Sequence, residues 1–239
     1  MAQLKILFVL GFPNPFPGAG WARISFFAKI FHKKGYDVDI LGTFIYSALN
    51  ARFIKNFGNL RIFNLIFNVQ NRHPVFFAIN SFLSFIVSII FLLIKKPNIV
   101  IVSFPSGDVG IGALLACRLI GIKSVIDYRD EWEDYLISVA PSKFRKLFYS
   151  WVKKFSSYLY SNNNLVITVT PNYIDVLRKR GVDEVKLISN GADSTIFAPS
   201  VNKHNRRIFT LLYSGGVGGY YRLDVIIRAI KILVDDGFQ

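Results

Sequence analysis

The chain has 239 residues, 52% of them hydrophobic and 15% aromatic, which is enough for one sizeable α/β domain and part of another, and far too apolar for a disordered chain. Its 29 Lys and Arg against 15 Asp and Glu give a formal charge of +14, which suits phosphates or anionic lipid headgroups; no aromatic and basic RNA motif accompanies that charge, so nucleic acid is not an expected partner. A single cysteine, Cys117, excludes an internal disulfide and favours a cytoplasmic setting.

The apolar start lacks the charged region and cleavage site of a signal peptide, and Lys5–Leu10 (KILFVL) reads as a strand buried on both faces. A loop rich in Gly and Pro follows. Trp21–Lys34 then reads as a helix ended by Gly35, and Tyr36–Leu41 as the second strand of a βαβ unit. Val75–Ile94 is twenty residues without a charge, about 30 Å at ~1.5 Å per residue, long enough for a bilayer core. Its place between two strands of one sheet favours a buried or membrane-touching crossover helix over a true span, because removing it would leave the sheet without its connection.

Asn98–Ser103 predicts the next strand, Val109–Ile120 a helix closed by Gly121, and Ser124–Asp127 another strand. Ser142–Tyr160 predicts a helix that sets Phe144, Phe148, Trp151, Phe155 and Tyr158 on one stripe and Lys143, Arg145, Lys146, Lys153 and Lys154 beside it. That pattern fits either an interfacial helix on an anionic membrane surface or an aromatic stripe packed into the core under a solvated basic face. Leu165–Thr170, Pro171–Arg180 and Lys186–Ser189 continue as strand, helix and strand. The alternation predicts an α/β fold, a doubly wound parallel sheet of Rossmann-like type whose ligands sit beyond the strand C-termini.

The expected organisation is one domain over residues 1–198, a polar linker over 199–207, and residues 208–239 as the first strand and helix of an incomplete second α/β domain. One strand and one helix cannot bury their own apolar faces, so either the chain is truncated or a second chain supplies the rest.

Two segments carry candidate chemistry. Gly18, Gly20 and Arg23 lie where a glycine loop enters a helix, so backbone N–H groups and a fixed cation could receive a phosphate; the alternative is a tight β-to-α turn and nothing more. Asp127 to Trp132 (DYRDEW) follows a strand end, where a carboxylate could orient a hydroxyl or act as a base; the alternative is a structural ion pair of Arg129 with a carboxylate. His32, His73 and His204 are scattered and Cys117 lies in an apolar helical pattern, so no metal site is expected.

Several segments together resemble the GT4-type glycosyltransferases of the GT-B fold. They are the loop ending at Gly20 to Arg23, HKKGYDVDILG, KPNIVIVSFPSGDVGIGALLACRLIG, DYRDEWED, VITVTPNYIDVLRKRG, ISNGADSTIFAP and YSGGVGGYYRLDVIIRAIKIL. The resemblance implies retaining transfer of a sugar from a nucleotide-sugar donor to a lipid-linked or polysaccharide acceptor, with no metal or other cofactor. It implies a donor diphosphate met by Gly18, Gly20 and Arg23 in the first domain and by Gly215, Gly216 and Arg222 in the second. It further places Asp130 as a catalytic candidate on the acceptor side with Glu131 and Trp132, and Asn190 with Gly191 in the interdomain loop. Two departures matter. Where the family often carries an arginine and a lysine for the diphosphate, this chain has Gly216 and Tyr221; and the family's E-x7-E segment would fall beyond residue 239. The resemblance therefore implies an enzyme of the inner membrane face that is nearly inactive as this chain alone, or else a non-catalytic subunit docking a separate donor-binding chain.

Overall fold

The computed structural model describes residues 3–15, 18–44, 54–104, 106–194, 197–198, 211–215 and 222–237. The chain divides into two compact units, Met1–Gly191 and Ala192–Gln239. The predicted linker at 199–207 and Gly216 lie outside the described residues, as does the start of the predicted strand 208–213.

The first unit holds an eight-stranded sheet. In chain order its elements are β1 (Lys5–Leu10), α1 (Ala19–Lys33), β2 (Asp37–Phe44), β3 (Ile54–Phe57), β4 (Leu60–Phe67), α2 (Pro74–Lys95), β5 (Ile99–Phe104), α3 (Gly107–Ile120), β6 (Lys123–Tyr128), α4 (Trp132–Ser138), α5 (Lys143–Ser161), β7 (Leu165–Thr168), α6 (Pro171–Lys179) and β8 (Val185–Leu187). The strand order is β3-β4-β2-β1-β5-β6-β7-β8. All neighbours are parallel except β3 and β4, which form an antiparallel hairpin at one edge. The doubly wound parallel sheet matches the sequence reading. The hairpin and α4 do not appear in that reading: β3 is four residues long, and β4 (LRIFNLIF) alternates in burial but not in apolar and polar residues.

The period-two alternation of β1 sets the two layers. Leu7 and Val9 face a core shared with α2, α3, α5 and α6, whereas Ile6, Phe8 and Leu10 face α1 through Trp21, Ile24 and Ala28. The order reverses between β1 and β5, each followed by a loop and a helix, and it is at the C-terminal ends of such a switch point that open α/β sheets carry a ligand crevice.

Helix α2 is the crossover from β4 to β5, capped by the His73 side chain, which accepts from the Val75 N–H, and packed inward through Phe77, Phe91 and Leu92. Helix α5 buries Tyr149, Val152, Ser156 and Leu159. The aromatic stripe is therefore not its core face: Phe144 and Trp151 are 69% and 60% exposed, and Tyr158 is exposed with them. In the second unit the described helix is α7 (Leu223–Asp235), none of whose residues is buried.

Candidate functional site

The crevice is built on a buried ion pair. The Arg23 side chain leaves the second turn of α1 and its Nε donates to Asp127 Oδ1 at 3.1 Å, with side-chain exposures of 4% and 0%. Asp127 ends a strand whose register places it beside Ser103 of β5, and the Ser103 hydroxyl donates to Asp127 Oδ2 at 3.1 Å. Arg23 Nη1 donates to the Ser189 carbonyl at 3.3 Å and to Asn190 Oδ1 at 3.2 Å. Its Nη2 is buried with no hydrogen-bond partner among the described residues. Burial pushes the Asp127 carboxyl above its usual range, against the pull of the Arg23 and Arg129 guanidiniums. Burial likewise lowers Arg129, against the Asp127 and Asp130 carboxylates.

The β1–α1 loop is tied down from the same strand. Arg129 Nη1 donates to the Gly20 carbonyl at 3.0 Å, so this arginine holds the glycine loop. A Cβ at Gly20 would fall 2.1 Å from the Phe12 ring, which is the local reason for glycine there. Helix α1 starts after Gly18 with no side-chain cap and no acidic residue in its first turn, leaving its N-terminal amides and dipole available to an anion.

Of the predicted residues, Arg23 meets Asn190 directly and the Gly20 carbonyl is held by Arg129, while Gly18 and Gly191 are exposed. Asp130 is exposed and Glu131 half-buried. Trp132 is the exception to an open acceptor-facing set. It is 5% exposed, its ring lies near parallel to those of Phe77 and Phe104, and its Nε1 donates to the Tyr160 hydroxyl at 3.1 Å. An added Cβ at Gly107 would touch its ring at 2.1 Å, so the indole occupies the space that glycine leaves. In the second unit Gly215 is exposed, and Arg222 is exposed and paired with Asp224 at 2.9 Å.

Beneath Trp132, Glu133 is fully buried and accepts from Arg180 Nη2 and the Ser156 hydroxyl at 2.7 Å each and from the Tyr160 hydroxyl at 3.1 Å. Burial first, then Glu133, raises the Tyr160 hydroxyl well above its usual range. This network fixes the start of α4 against α5 and α6 and so sets the position of the loop that carries Asp130 and Glu131.

A second depression of about 250 Å³ lies over the loop after β5, lined by Arg72, Asp108, Trp132, Tyr135 and Tyr149 among others. Asp108 accepts from Asn80 Nδ2 at 2.8 Å and Asn68 Nδ2 at 3.2 Å, and burial raises its carboxyl. Arg72 lies over the Tyr135 ring at 5.1 Å, and its carbonyl accepts from the Tyr149 hydroxyl at 2.8 Å. Sequence reasoning singled out none of Arg72, Asp108 and Tyr149. Only Asp108, directly after a strand in SGDVG, carried a local signal.

Residues 24–195 match the sequence profile of Glycosyltransferase Family 4. No curated protein matches the sequence. Among solved structures the chain is similar to sucrose-phosphate synthase from Thermosynechococcus elongatus, at TM-score 0.66 and 14% identity over 83% of this chain and 51% of that one. It is also similar to the catalytic domain of starch synthase IV from Arabidopsis thaliana bound to ADP and acarbose, at TM-score 0.53 and 11% identity over 81% and 53%. A glycosyltransferase from Rickettsia africae ESF-5 matches at TM-score 0.50 and 14% identity over 85% and 47%. The chain thus spans about half the length of these structures, and at such identity the likeness is one of fold.

Proposed function

This chain belongs to Glycosyltransferase Family 4 and has a Rossmann-like GT-B fold, and on that premise we propose that it serves transfer of a sugar from a nucleotide diphosphate-sugar to a lipid-linked or polysaccharide acceptor. In this reading the transfer retains the anomeric configuration, needs no metal, and takes place at the cytoplasmic face of an anionic membrane.

The observation that carries the reading is Arg23: a guanidinium fixed by Asp127 at the crevice, beside an uncapped helix N-terminus, with one buried N–H group unpaired. As the bond from the anomeric carbon to the diphosphate oxygen breaks, charge builds on the leaving group, and donors already oriented there stabilise it without reorganising. Gly18 and Gly20 would let the backbone approach that diphosphate, and Asn190 and Gly191 would border it. Gly215, Gly216 and Arg222 would belong to the corresponding loop of the second unit, with Arg222 released from Asp224 to supply charge. Asp130 and Glu131 would orient the acceptor hydroxyl, and Trp132 would contribute by walling the depression over Asp108 rather than by stacking on the acceptor from solvent.

Calorimetric titration with nucleoside diphosphates tests the donor site. The double variant Arg23→Met/Asp127→Leu removes both buried charges together, and it is expected to keep the fold and lose at least ~10-fold in affinity, the scale of one charge-assisted pair. Unchanged affinity would remove Arg23 from the site. NMR of the anomeric proton in the product checks retention, in an assay run with the chain alone and with a donor-binding domain added; the chain alone is expected to show no turnover.

A second reading, a subunit that docks a separate donor-binding chain, is favoured by the exposed apolar residues of α7, including Val225, Ile227, Ile232 and Val234. Co-purification of a second chain carrying the donor-binding elements would support it.

A further inference from the structure

Helix α2 buries Phe77, Phe91 and Leu92 in the core but is polar where it meets α3. Toward α3 it buries Asn80, Ser84 and Ser88, and the Ser84 hydroxyl donates to the Val109 carbonyl at 2.7 Å. The two helices come close because α3 has Gly112 at the contact, where a Cβ would lie 2.2 Å from the Ser81 carbonyl oxygen. Toward solvent it turns Ile79, Phe82, Ile86, Ile90 and Leu93. Only 28% of its most apolar 18-residue window is buried. A helix on the surface of a water-soluble domain ordinarily does the reverse. Small and hydroxylated residues between helices with large aliphatic residues outside is the arrangement of helices packed in lipid.

The apolar face continues beyond α2. Phe82 and Phe85 border a groove of about 620 Å³ with Leu115, Arg118 and Leu119 of α3. The Arg118 guanidinium lies over the Tyr158 ring of α5 at 5.3 Å, which joins the groove to the exposed row holding Trp151 and Phe144. The charges on these helices have one sign. Helix α5 carries five cations and no carboxylate, α2 carries only Lys95, and Asp108 of α3 is held inward by Asn68 and Asn80. A two-fold contact of this face with a second copy would bring together two surfaces whose exposed charges are cations, whereas an anionic leaflet pairs Lys143, Lys146 and Lys154.

We propose that the outer face of α2, with the α3 groove and the aromatic row of α5, is a monotopic insertion surface that lies in the plane of an anionic bilayer with α2 entering the acyl region. A span is a different geometry: α2 is the β4-to-β5 crossover and stays packed on α3 and the sheet. The inference goes deeper than headgroup contact by α5, and its test involves no sugar transfer.

The experiment uses the full chain and vesicles of phosphatidylglycerol mixed with phosphatidylcholine. An environment-sensitive fluorophore on Ile86→Cys, with the unsubstituted chain and its buried Cys117 as the unlabelled control, is expected to shift to the blue on vesicle addition and to be quenched by spin labels on the acyl chains. The variant Ile79→Asp/Ile86→Asp/Leu93→Asp changes exposed positions only; its circular dichroism and melting temperature are expected to hold while vesicle affinity falls at least ~10-fold. Vesicle binding that survives this variant and disappears on reversing Lys143, Lys146 and Lys154 to Glu would overturn the inference and leave α5 as a headgroup contact. A dimer in sedimentation velocity that the triple variant abolishes, without vesicle binding by the parent chain, would assign the face to a second copy instead.

Discussion

Arg23 and Asp127 stand 104 positions apart and meet at 3.1 Å in the interior, one from the second turn of a helix and the other from the end of a strand two places across the sheet. Neither charge is in water, so each depends on the other. Arg23→Met alone strands the Asp127 carboxylate and is expected to cost about 3–5 kcal/mol in urea denaturation, whereas Arg23→Met/Asp127→Leu recovers most of that loss. A single variant as stable as the parent would mean the pair is not what holds the crevice.

Glu133 and Arg180 form a second buried pair at 2.7 Å, with side-chain exposures of 0% and 7%. Glu133→Ala leaves Arg180 without its counter-charge and is expected to destabilise by about 3–5 kcal/mol. Because α4 hangs from Glu133, the same change should loosen the loop holding Asp130 and Glu131. Hydrogen exchange that rises across residues 129–138 while β1 and β5 stay protected would show this; uniform protection would argue against the coupling.

Gly112 sets the distance between α2 and α3. A Cβ there would meet backbone atoms, the Ser81 oxygen at 2.2 Å and the Phe85 nitrogen at 2.8 Å, so the helices must part rather than a side chain turn aside. Gly112→Ala is therefore expected to lower stability by about 1–3 kcal/mol despite alanine's better helix propensity. Gly35→Ala cannot serve as a neutral control because of its positive φ; Gly191→Ala, with open space around it, can.

The Cys117 thiol is pushed up to about 12 by burial. Since the thiolate is the reactive form and is lost below that value, the native chain at pH 8 is expected to react with a disulfide reagent far more slowly than the urea-unfolded chain, in which the thiol returns toward ~8.5. Equal rates in the two states would show that the α3 region opens readily.

Helix α7 buries none of its residues, so its amides have no packing to protect them beyond the helix itself. They are expected to exchange within seconds at neutral pH, well ahead of β1, β5 and β6. Protection of α7 equal to that of the sheet would contradict this.

What the sequence determined by itself was local and periodic. Apolar runs such as KILFVL and NIVIVS can be satisfied only as strands covered on both faces, and glycines at 35, 121 and 181 stop the helices before them because each takes a positive φ. The alternation of these pieces was sufficient for a parallel doubly wound sheet, and the glycine loop with Arg23 stood out only as a candidate place for an anion. What only the tertiary structure decided was which face of each element meets which neighbour. On α5 the aromatic stripe and the Tyr149, Val152, Ser156 and Leu159 stripe are both helical in spacing, and it is the contact with α3 and α4 that buries the second and leaves Phe144, Trp151 and Tyr158 of the first exposed, with Phe148 and Phe155 half-buried against the core. Trp132 follows a strand end as a binding residue would, yet the space above Gly107 takes its ring into the core. Asp127 finds Arg23, and Asp108 finds Asn68 and Asn80, across sequence separations that carry no local pattern, because a buried charge or carboxyl must be matched in three dimensions.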